Sequence, residues 1–493
     1  MAVTTDADTK TWLPDVHLHV GGERLRVGSD GSYEHVNPVT GKSQGTVPLA
    51  GSAEIDAAVA AAQAAFPAWR ALAPGARRDL LIALGEALAD RSDELAHVIA
   101  SETGTPVRIG AALVAGTREW CLYYAGWADK IDGAVHNSFP DAGNFAYSQP
   151  EPYGVVGVIF PWNNPISSLG MKVIPALAAG NCVVVKPSEL APFVTEFFAR
   201  VLADVGFPSG VVSVLPGTAA AGDALVTHPD VKKISFTGGP ATARKIMAAC
   251  AGSMKPSVME LGGKSPYIVF DDADLDRVAD TVTRSMTVLT GQACVMGSRI
   301  IVQDTVYEEL LTKLAARASA VVPGDPLDPD TAFGPVISAD ACERILGVIE
   351  RARASGGVRV VSGGKRIGGA FADGFFIQPT VIADADPDAE IAQQETFGPV
   401  VTAYRFKDEN EAVALANQTS FGLGAYLQTA DIARVHRVVA QIESGGVYVN
   451  GGPAVLPNLP FGGIGESGYG REGGRAGLDE FLRLRTVTVG ATR

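Results

Sequence analysis

Cysteine is scarce: five in 493 residues, odd in number and far apart, at Cys121, Cys182, Cys250, Cys294 and Cys342. Such a scatter is no disulfide framework, and no CxxC or Cys/His pair has zinc spacing. A reducing compartment fits. Long apolar runs are missing too. None approaches the ~18 residues that span a bilayer, and Met1 to Lys10 carries neither an apolar signal core nor an Arg-rich transit pattern. The expected location is the cytoplasm, with no membrane partner. Positive charge is outnumbered, with 40 Lys and Arg against 54 Asp and Glu and a net charge of −14. No basic stripe stands out that could neutralise a run of phosphates, which excludes nucleic acid. His17 and His19 read as one face of a short strand rather than metal ligands, so no metal site is expected. Internal repeats and low-complexity linkers are absent as well.

What is present describes a globular protein. Hydrophobic residues make up 47% and charged residues 19%, a balance that favours packed cores over disorder. The length implies two or three domains. Turn residues between short alternating runs from Asp15 to Pro48 predict a small hairpin region. Ser52 to Arg70, Asp79 to Thr103 and Ile109 to Ile131 read as three long helices, with Ser52 as a cap. Trp120, Tyr123, Tyr124 and Trp127 form an aromatic stripe on the third, read as core packing, with a tunnel lining as the alternative.

From Gly154 onward, strands and helices alternate. A strand over 154–160 runs into Pro161-Trp162-Asn163-Asn164-Pro165, and a strand over 182–186 ends in Pro187-Ser188-Glu189. Strands over 211–215 and 231–236 follow. The pattern implies a doubly wound parallel sheet with ligands at the C-terminal ends of its strands. A second α/β series runs from Ser265 to about Asn450, including a strand over 298–302 and a helix over 305–320. The chain closes with a Gly-rich loop and a strand over Thr486 to Val489 that could extend a neighbour's sheet.

Two residues carry candidate chemistry. Glu260 stands in Met259-Glu-Leu-Gly-Gly-Lys-Ser-Pro266, and Cys294 stands in Gly291-Gln-Ala-Cys-Val-Met-Gly297. A thiol is a soft nucleophile that needs help to become a thiolate. A nearby carboxylate can activate the water that attacks a covalent adduct. Taken singly, the thiol reads as buried filler and the carboxylate as a solvated strand end. Two further motifs mislead. The loops Gly463 to Gly468 and Gly468 to Gly473 fit GxGxxG, but neither follows a strand and too little chain remains for a βαβ unit. Gly263-Lys264-Ser265 ends like a phosphate loop, yet Val258 stands where the first glycine belongs.

Eight motifs occur in order: Pro161-Trp162-Asn163, Lys186-Pro-Ser-Glu189, Phe236-Thr-Gly-Gly239, Glu260-Leu-Gly-Gly-Lys264, Gly291-Gln-Ala-Cys294, Glu395-Thr-Phe-Gly-Pro399, Asn450 and Pro460-Phe-Gly-Gly463. Over nearly its whole length the chain resembles the aldehyde dehydrogenase superfamily. The resemblance implies an α/β protein with a Rossmann-like doubly wound cofactor domain over 1–132 and 153–262. It implies an α/β catalytic domain over 263–465, and a bridging β arm over 133–152 and 480–493 that builds a homodimer or homotetramer.

It also implies roles. The Cys294 thiolate attacks an aldehyde, the Asn163 amide and the Cys294 backbone N–H hold the resulting oxyanion, and hydride passes to a nicotinamide. Glu260 then activates water against the thioester. The cofactor is NAD, with NADP usable. Lys186 and Glu189, with Ser188 beside them, face the adenosine ribose; Glu395 faces the nicotinamide ribose and Phe397 the nicotinamide. Phe160, Pro161, Trp162, Gly238, Gly239 and Leu261 complete the cofactor site. Lys172 and Glu472 match a proton exit, with a surface ion pair as the plain alternative.

Some positions depart from the family pattern. Ala243 replaces the second glycine of the turn that begins at Gly238, putting a methyl group where the pyrophosphate is expected. Met171 stands where betaine-aldehyde and many acetaldehyde enzymes carry Trp, Asn164 replaces the usual aromatic, and Val295 follows the nucleophile. These changes thin the aromatic cage that a quaternary ammonium needs. A CoA-acylating semialdehyde dehydrogenase is the nearest rival reading, opposed by Glu260. An inactive relative with a binding role is opposed by the presence of Cys294, Asn163 and Glu260 together.

Overall fold

The computed structural model describes residues 12–137 and 145–490. Residues 1–11, part of the expected arm (138–144) and the last three residues lie outside that description. Val155–Phe160 and Cys182–Pro187 have almost no polar side chain to turn toward water, and both strands are buried at every residue. Strands of this kind need cover on both faces, which parallel sheets with crossover helices provide. They form the centre of an eight-stranded sheet. Its order is Glu23–Leu25, Leu18–Val20, Val212–Val214, Cys182–Pro187, Val155–Phe160, Val231–Gly238, Ser257–Leu261 and Gly468–Tyr469. The inner five strands are parallel.

The region expected as a small hairpin is therefore two hairpins with different fates. The first joins the edge of this sheet through His19 opposite Val214. The second, Ser32–Val36 with Ser43–Pro48, stands apart. His17 and His19 both turn onto the fully buried carboxylate of Glu196, at 3.3 and 2.7 Å.

Four helices replace the three expected before this sheet: Ser52–Ala71, Pro74–Asp90, Ser92–Thr103 and Val107–Ala125. The break falls at Arg91, whose φ of −107° and ψ of 20° leave the helical region. Pro74 at the first turn was the missed start signal, since proline loses nothing there. Ser52 is not a cap. Gly51 is, and its N–H donates to the Glu54 side chain at 2.8 Å.

The second sheet has seven strands: Arg359–Ser362, Thr380–Ala383, Val400–Phe406, Arg299–Gln303, Pro266–Val269, Gly424–Gln428 and Gly446–Val449. All neighbours are parallel except the first pair. The chain passes from the first sheet to the second between Leu261 and Pro266. Only Gly262, Gly263, Lys264 and Ser265 make that crossing. Gly468–Tyr469 then returns to pair beside Glu260, so both sheets meet at one short stretch. Among the described residues no helix is long and apolar enough to cross a membrane.

The C-terminal strand is longer than expected, Leu482–Val489, and pairs along its whole length with Phe145–Pro152 of its own chain. Val135–His136 completes a three-stranded arm. Leu482–Val489 lies at the arm's edge, with Leu484 75% and Val489 53% exposed, and an open apolar edge invites a further strand. Light scattering at micromolar concentration should therefore give a dimer or tetramer mass, whereas a monomer mass would contradict this.

Candidate active site

The carboxyl ends of the parallel strands bring the first group of residues together. Phe160 pairs with Pro187 and Ile159 with Lys186; Thr237 pairs with Glu260 and Gly238 with Leu261. The turn after Pro187 is fastened by the Ser188 N–H donating to the Phe160 carbonyl at 3.2 Å. Within it, the Ser188 hydroxyl lies 3.4 Å from a Glu189 carboxylate oxygen. Burial holds the Lys186 ammonium below its ordinary range, and Glu189 works in the opposite direction. Gly239 precedes the helix Pro240–Ala251, and a side chain added there would meet nothing within 4 Å. The helix N-terminus thus faces open ground, as anion binding requires. Ala243 does not intrude on it, because its methyl group is buried in the hydrophobic core.

Across the cleft, Phe397 adopts φ of 50° and meets Trp162 edge-on, with ring centroids 5.7 Å apart. Left-handed backbone in a bulky aromatic is uncommon and marks an imposed geometry. Glu395 accepts the Gly263 N–H at 3.1 Å. Burial raises its carboxyl to about 7, opposed by the Gly263 N–H and by the cations of Lys264 and Arg344. The two crossing glycines are needed here. A Cβ on Gly262 would collide with the Glu395 carboxylate, and one on Gly263 with the Cys294 carbonyl.

Cys294 follows three consecutive left-handed residues, Leu289, Thr290 and Gly291, at φ of 52°, 54° and 69°. Side-chain and backbone bonds hold that strained loop. Gln292 is buried; its Nε2 donates to the Leu289 carbonyl at 3.0 Å, and its Oε1 accepts the Ile337 N–H at 3.0 Å. Its carbonyl accepts from Asn163 Nδ2 at 3.0 Å, which fastens the Asn163 amide to the loop that carries Cys294. Tyr426 donates its hydroxyl to the Val295 carbonyl at 2.6 Å on the other side. Neither Gln292 nor Tyr426 was singled out from the sequence. Gln292 lies inside the motif Gly291-Gln-Ala-Cys294, but nothing in its spacing tells a brace from a filler. The Cys294 thiol is pushed well above its ordinary range by burial, then by the Glu260, Glu395 and Glu472 carboxylates; its own backbone N–H works the other way.

Glu260 is buried, and its Oε1 has no hydrogen-bond partner. Burial raises its carboxyl well above the carboxylate range, and the Glu472 charge adds to this, while Lys172 and Arg471 oppose it. Lys172 and Glu472 are not a surface pair. They form an ion pair with side chains 1% and 5% exposed, and Lys172 also donates to Ser235 Oγ at 3.1 Å. The aromatic stripe supports this corner. Tyr124 is fully buried and donates to the Gly474 carbonyl at 3.2 Å, two residues beyond Glu472.

The arrangement sets a desolvated acid beside a thiol, with a buried ion pair behind and open strand ends in front. Over nearly its whole length the chain is similar to known proteins. The model of the aldehyde dehydrogenase family matches residues 26–487. The structure of PnpE in complex with nicotinamide adenine dinucleotide superposes with a TM-score of 0.94 at 40% identity, covering 97% of this chain and 98% of that one. PnpE from Pseudomonas sp. WBC-3 gives the same TM-score and identity, covering 97% and 99%. Betaine aldehyde dehydrogenase from Staphylococcus aureus in complex with NAD+ reaches a TM-score of 0.94 at 33% identity, covering 96% and 94%.

The thiols differ in reach. Cys121, Cys182, Cys250 and Cys342 are buried, while Cys294 is partly exposed. Iodoacetamide on the folded, cofactor-free protein should therefore modify Cys294 alone, slowly at neutral pH and still accelerating at pH 9, because only the thiolate reacts. Peptide mass spectrometry showing another cysteine first, or a rate already flat by pH 8, would contradict this.

Proposed function

Because the chain belongs to the aldehyde dehydrogenase family, we propose that it oxidises an aldehyde to the carboxylic acid through Cys294, with NAD as cofactor and Glu260 as the hydrolytic base. The observation that carries this reading is the buried Glu260 carboxyl, unpartnered at Oε1 and electrostatically coupled to the Cys294 thiol. The strand-end residues fit a dinucleotide. Lys186, Ser188 and Glu189 offer a ribose-binding turn, the open N-terminus after Gly239 suits a pyrophosphate, and Glu395 with Phe397 and Trp162 suits the second ribose and its ring. Phe160, Pro161, Gly238 and Leu261 close the same strand ends. When bound, NAD supplies the hydride acceptor that turns the substrate adduct on Cys294 into a thioester.

The chain's own residues supply the rest. Sγ of Cys294 adds to the carbonyl carbon as a thiolate, and the negative charge moves to the former carbonyl oxygen. The Asn163 amide and the Cys294 N–H, both anchored by the strained loop, donate to that oxygen. Glu260 acts second. A carboxylate kept out of water is a strong base once it has lost its proton, and it takes a proton from the water that attacks the thioester. The tetrahedral adduct collapses, expelling the Cys294 thiolate and the acid. The buried Lys172–Glu472 pair beside Glu260 gives the proton a route onward. A CoA thiol intercepting the thioester would compete with this water, so Glu260 disfavours the acylating alternative.

Glu260→Gln should separate the two halves. Stopped-flow absorbance should keep a stoichiometric burst of NADH, while steady turnover falls by roughly two to four powers of ten. Loss of the burst as well would mean that Glu260 also activates the thiol.

Glu189 sets the cofactor preference in this reading. A carboxylate accepting from both ribose hydroxyls contributes on the order of 1.5–3 kcal/mol per charge-assisted bond, and it repels a 2′-phosphate. Lys186 and Ser188 favour that phosphate, so the net preference is moderate. NAD should exceed NADP by about tenfold to a hundredfold in kcat/KM, roughly 1.4–2.7 kcal/mol, and Glu189→Ser should narrow or reverse the ratio. Steady-state rates with both cofactors check this; a wild type that prefers NADP contradicts it.

A further inference from the structure

Oxidation through Cys294 leaves the tail of the aldehyde undefined, and the walls around the thiol bear on it. Met171, Val295, Leu423, Tyr448, Val455 and Phe461 pack with Cys294 in one cluster. They come from four stretches of chain, 161–171, 288–298, 420–428 and 444–464. None of these stretches contains an Asp, Glu, Lys, Arg or His, in a protein with 54 acidic and 40 basic residues. The apolar side of the thiol's surroundings is thus built from chain free of charge.

The two cations that act on Glu260 are already engaged. Lys172 is held by Glu472 and Ser235. Arg471 donates to the carbonyls of Gly463 and Gly470 at 3.0 and 2.7 Å. The charges acting on the thiol are carboxylates, Glu260, Glu395 and Glu472. A carboxylate tail would find no free counter-ion among these residues and would add to the carboxyl groups already crowded around the thiol. An ammonium tail would meet four aliphatic side chains, Met171, Val295, Leu423 and Val455, and only two aromatic ones, Tyr448 and Phe461, too few for an aromatic cage.

The rim is apolar as well. Beyond Val455, Leu456 is 49% and Leu459 40% exposed. This loop is fixed, since the Gly474 N–H donates to the Pro457 carbonyl at 2.7 Å and Leu459 N–H to Leu456 at 3.1 Å. Large apolar side chains held at the edge of a cleft mark a surface that receives an apolar ligand. A charged tail would have to leave water without a partner, which is strongly unfavourable.

We propose that the substrate is an uncharged, predominantly apolar aldehyde, alkyl or aryl, with its tail against Met171, Val295, Val455 and Phe461. Aldehydes ending in a carboxylate or a quaternary ammonium are rejected. This rests on the aldehyde-oxidation reading and narrows it. Initial rates of NADH formation by the wild-type protein, with hexanal, benzaldehyde, 4-oxobutanoate and trimethylammonioacetaldehyde, test it without any variant. The neutral pair should exceed both charged aldehydes in kcat/KM by about a hundredfold or more. If either charged aldehyde is used as well as the neutral pair, the substrate class is wrong while aldehyde oxidation stands. If none of the four is oxidised, both readings fall. As a second arm, Val455→Arg should raise kcat/KM for 4-oxobutanoate at least about tenfold and lower it for hexanal. A folded Val455→Arg protein with both values unchanged would overturn the placement of the tail.

Discussion

Two ionisable groups shifted upward chiefly by burial govern this site: the partly exposed thiol of Cys294 and the buried carboxyl of Glu260. Burial is the first cause in each; Glu260 and Glu472 raise the thiol further, and Glu472 also raises the Glu260 carboxyl. Burial disfavours the charged form of each group, which is why both shifts run upward. Glu472 does rest against a buried cation, Lys172, and the pair is tolerable because each partner is the other's compensation. Removing either one alone would leave an uncompensated charge beneath the nucleophile. The geometry around these groups follows from the same need for close, dry packing. Gly262 and Gly263 let Glu395 and the Cys294 backbone approach the crossing strand, where any side chain would hold them off.

Much of this was legible in the sequence. Val-rich runs followed by Pro, Asn, Lys or Gly identified the parallel strands and their functional ends, because a strand buried on both faces cannot alternate. Cys294, Asn163 and Glu260 were named from residue chemistry and motif order, and the fold brings their segments to one cleft. What could not be read was depth and strain. Lys172 lies between Met171 and Val173; the family resemblance pairs it with Glu472, but nothing in the residue pattern shows that the pair is buried. The left-handed turn at Leu289 and Thr290 has no glycine to announce it before Gly291; tertiary bonds from Gln292 and Thr290 impose it, the latter reaching the Gly334 carbonyl at 3.0 Å. The helix break at Arg91 also lacks a Gly or Pro signal.

Support for the site extends well beyond the residues that would touch a ligand. The turn carrying Glu189 is held from below by His35, whose Nε2 meets the Leu190 carbonyl at 3.1 Å. Gln44 fixes that imidazole. Its Nε2 must be a donor, because it also serves the Ser101 carbonyl at 2.8 Å, so the contact with His35 Nδ1 at 3.1 Å leaves the ring proton on Nε2. Glu102, fully buried, accepts the Phe193 and Val194 N–H groups at the start of the next helix. Such a foundation holds the turn proposed for the ribose in one shape, and preorganisation of this kind spares ordering cost on binding.

The central claim is that one side chain, Cys294, carries the substrate covalently and that Glu260 releases it. The most direct measurement is to mix Glu260→Gln protein with aldehyde and NAD, quench in acid within one turnover, and map the adduct by peptide mass spectrometry. The account predicts an acyl mass on the peptide containing Cys294, near one per chain, absent from the Cys294→Ala control. An adduct on another residue, or none despite NADH formation, would contradict it.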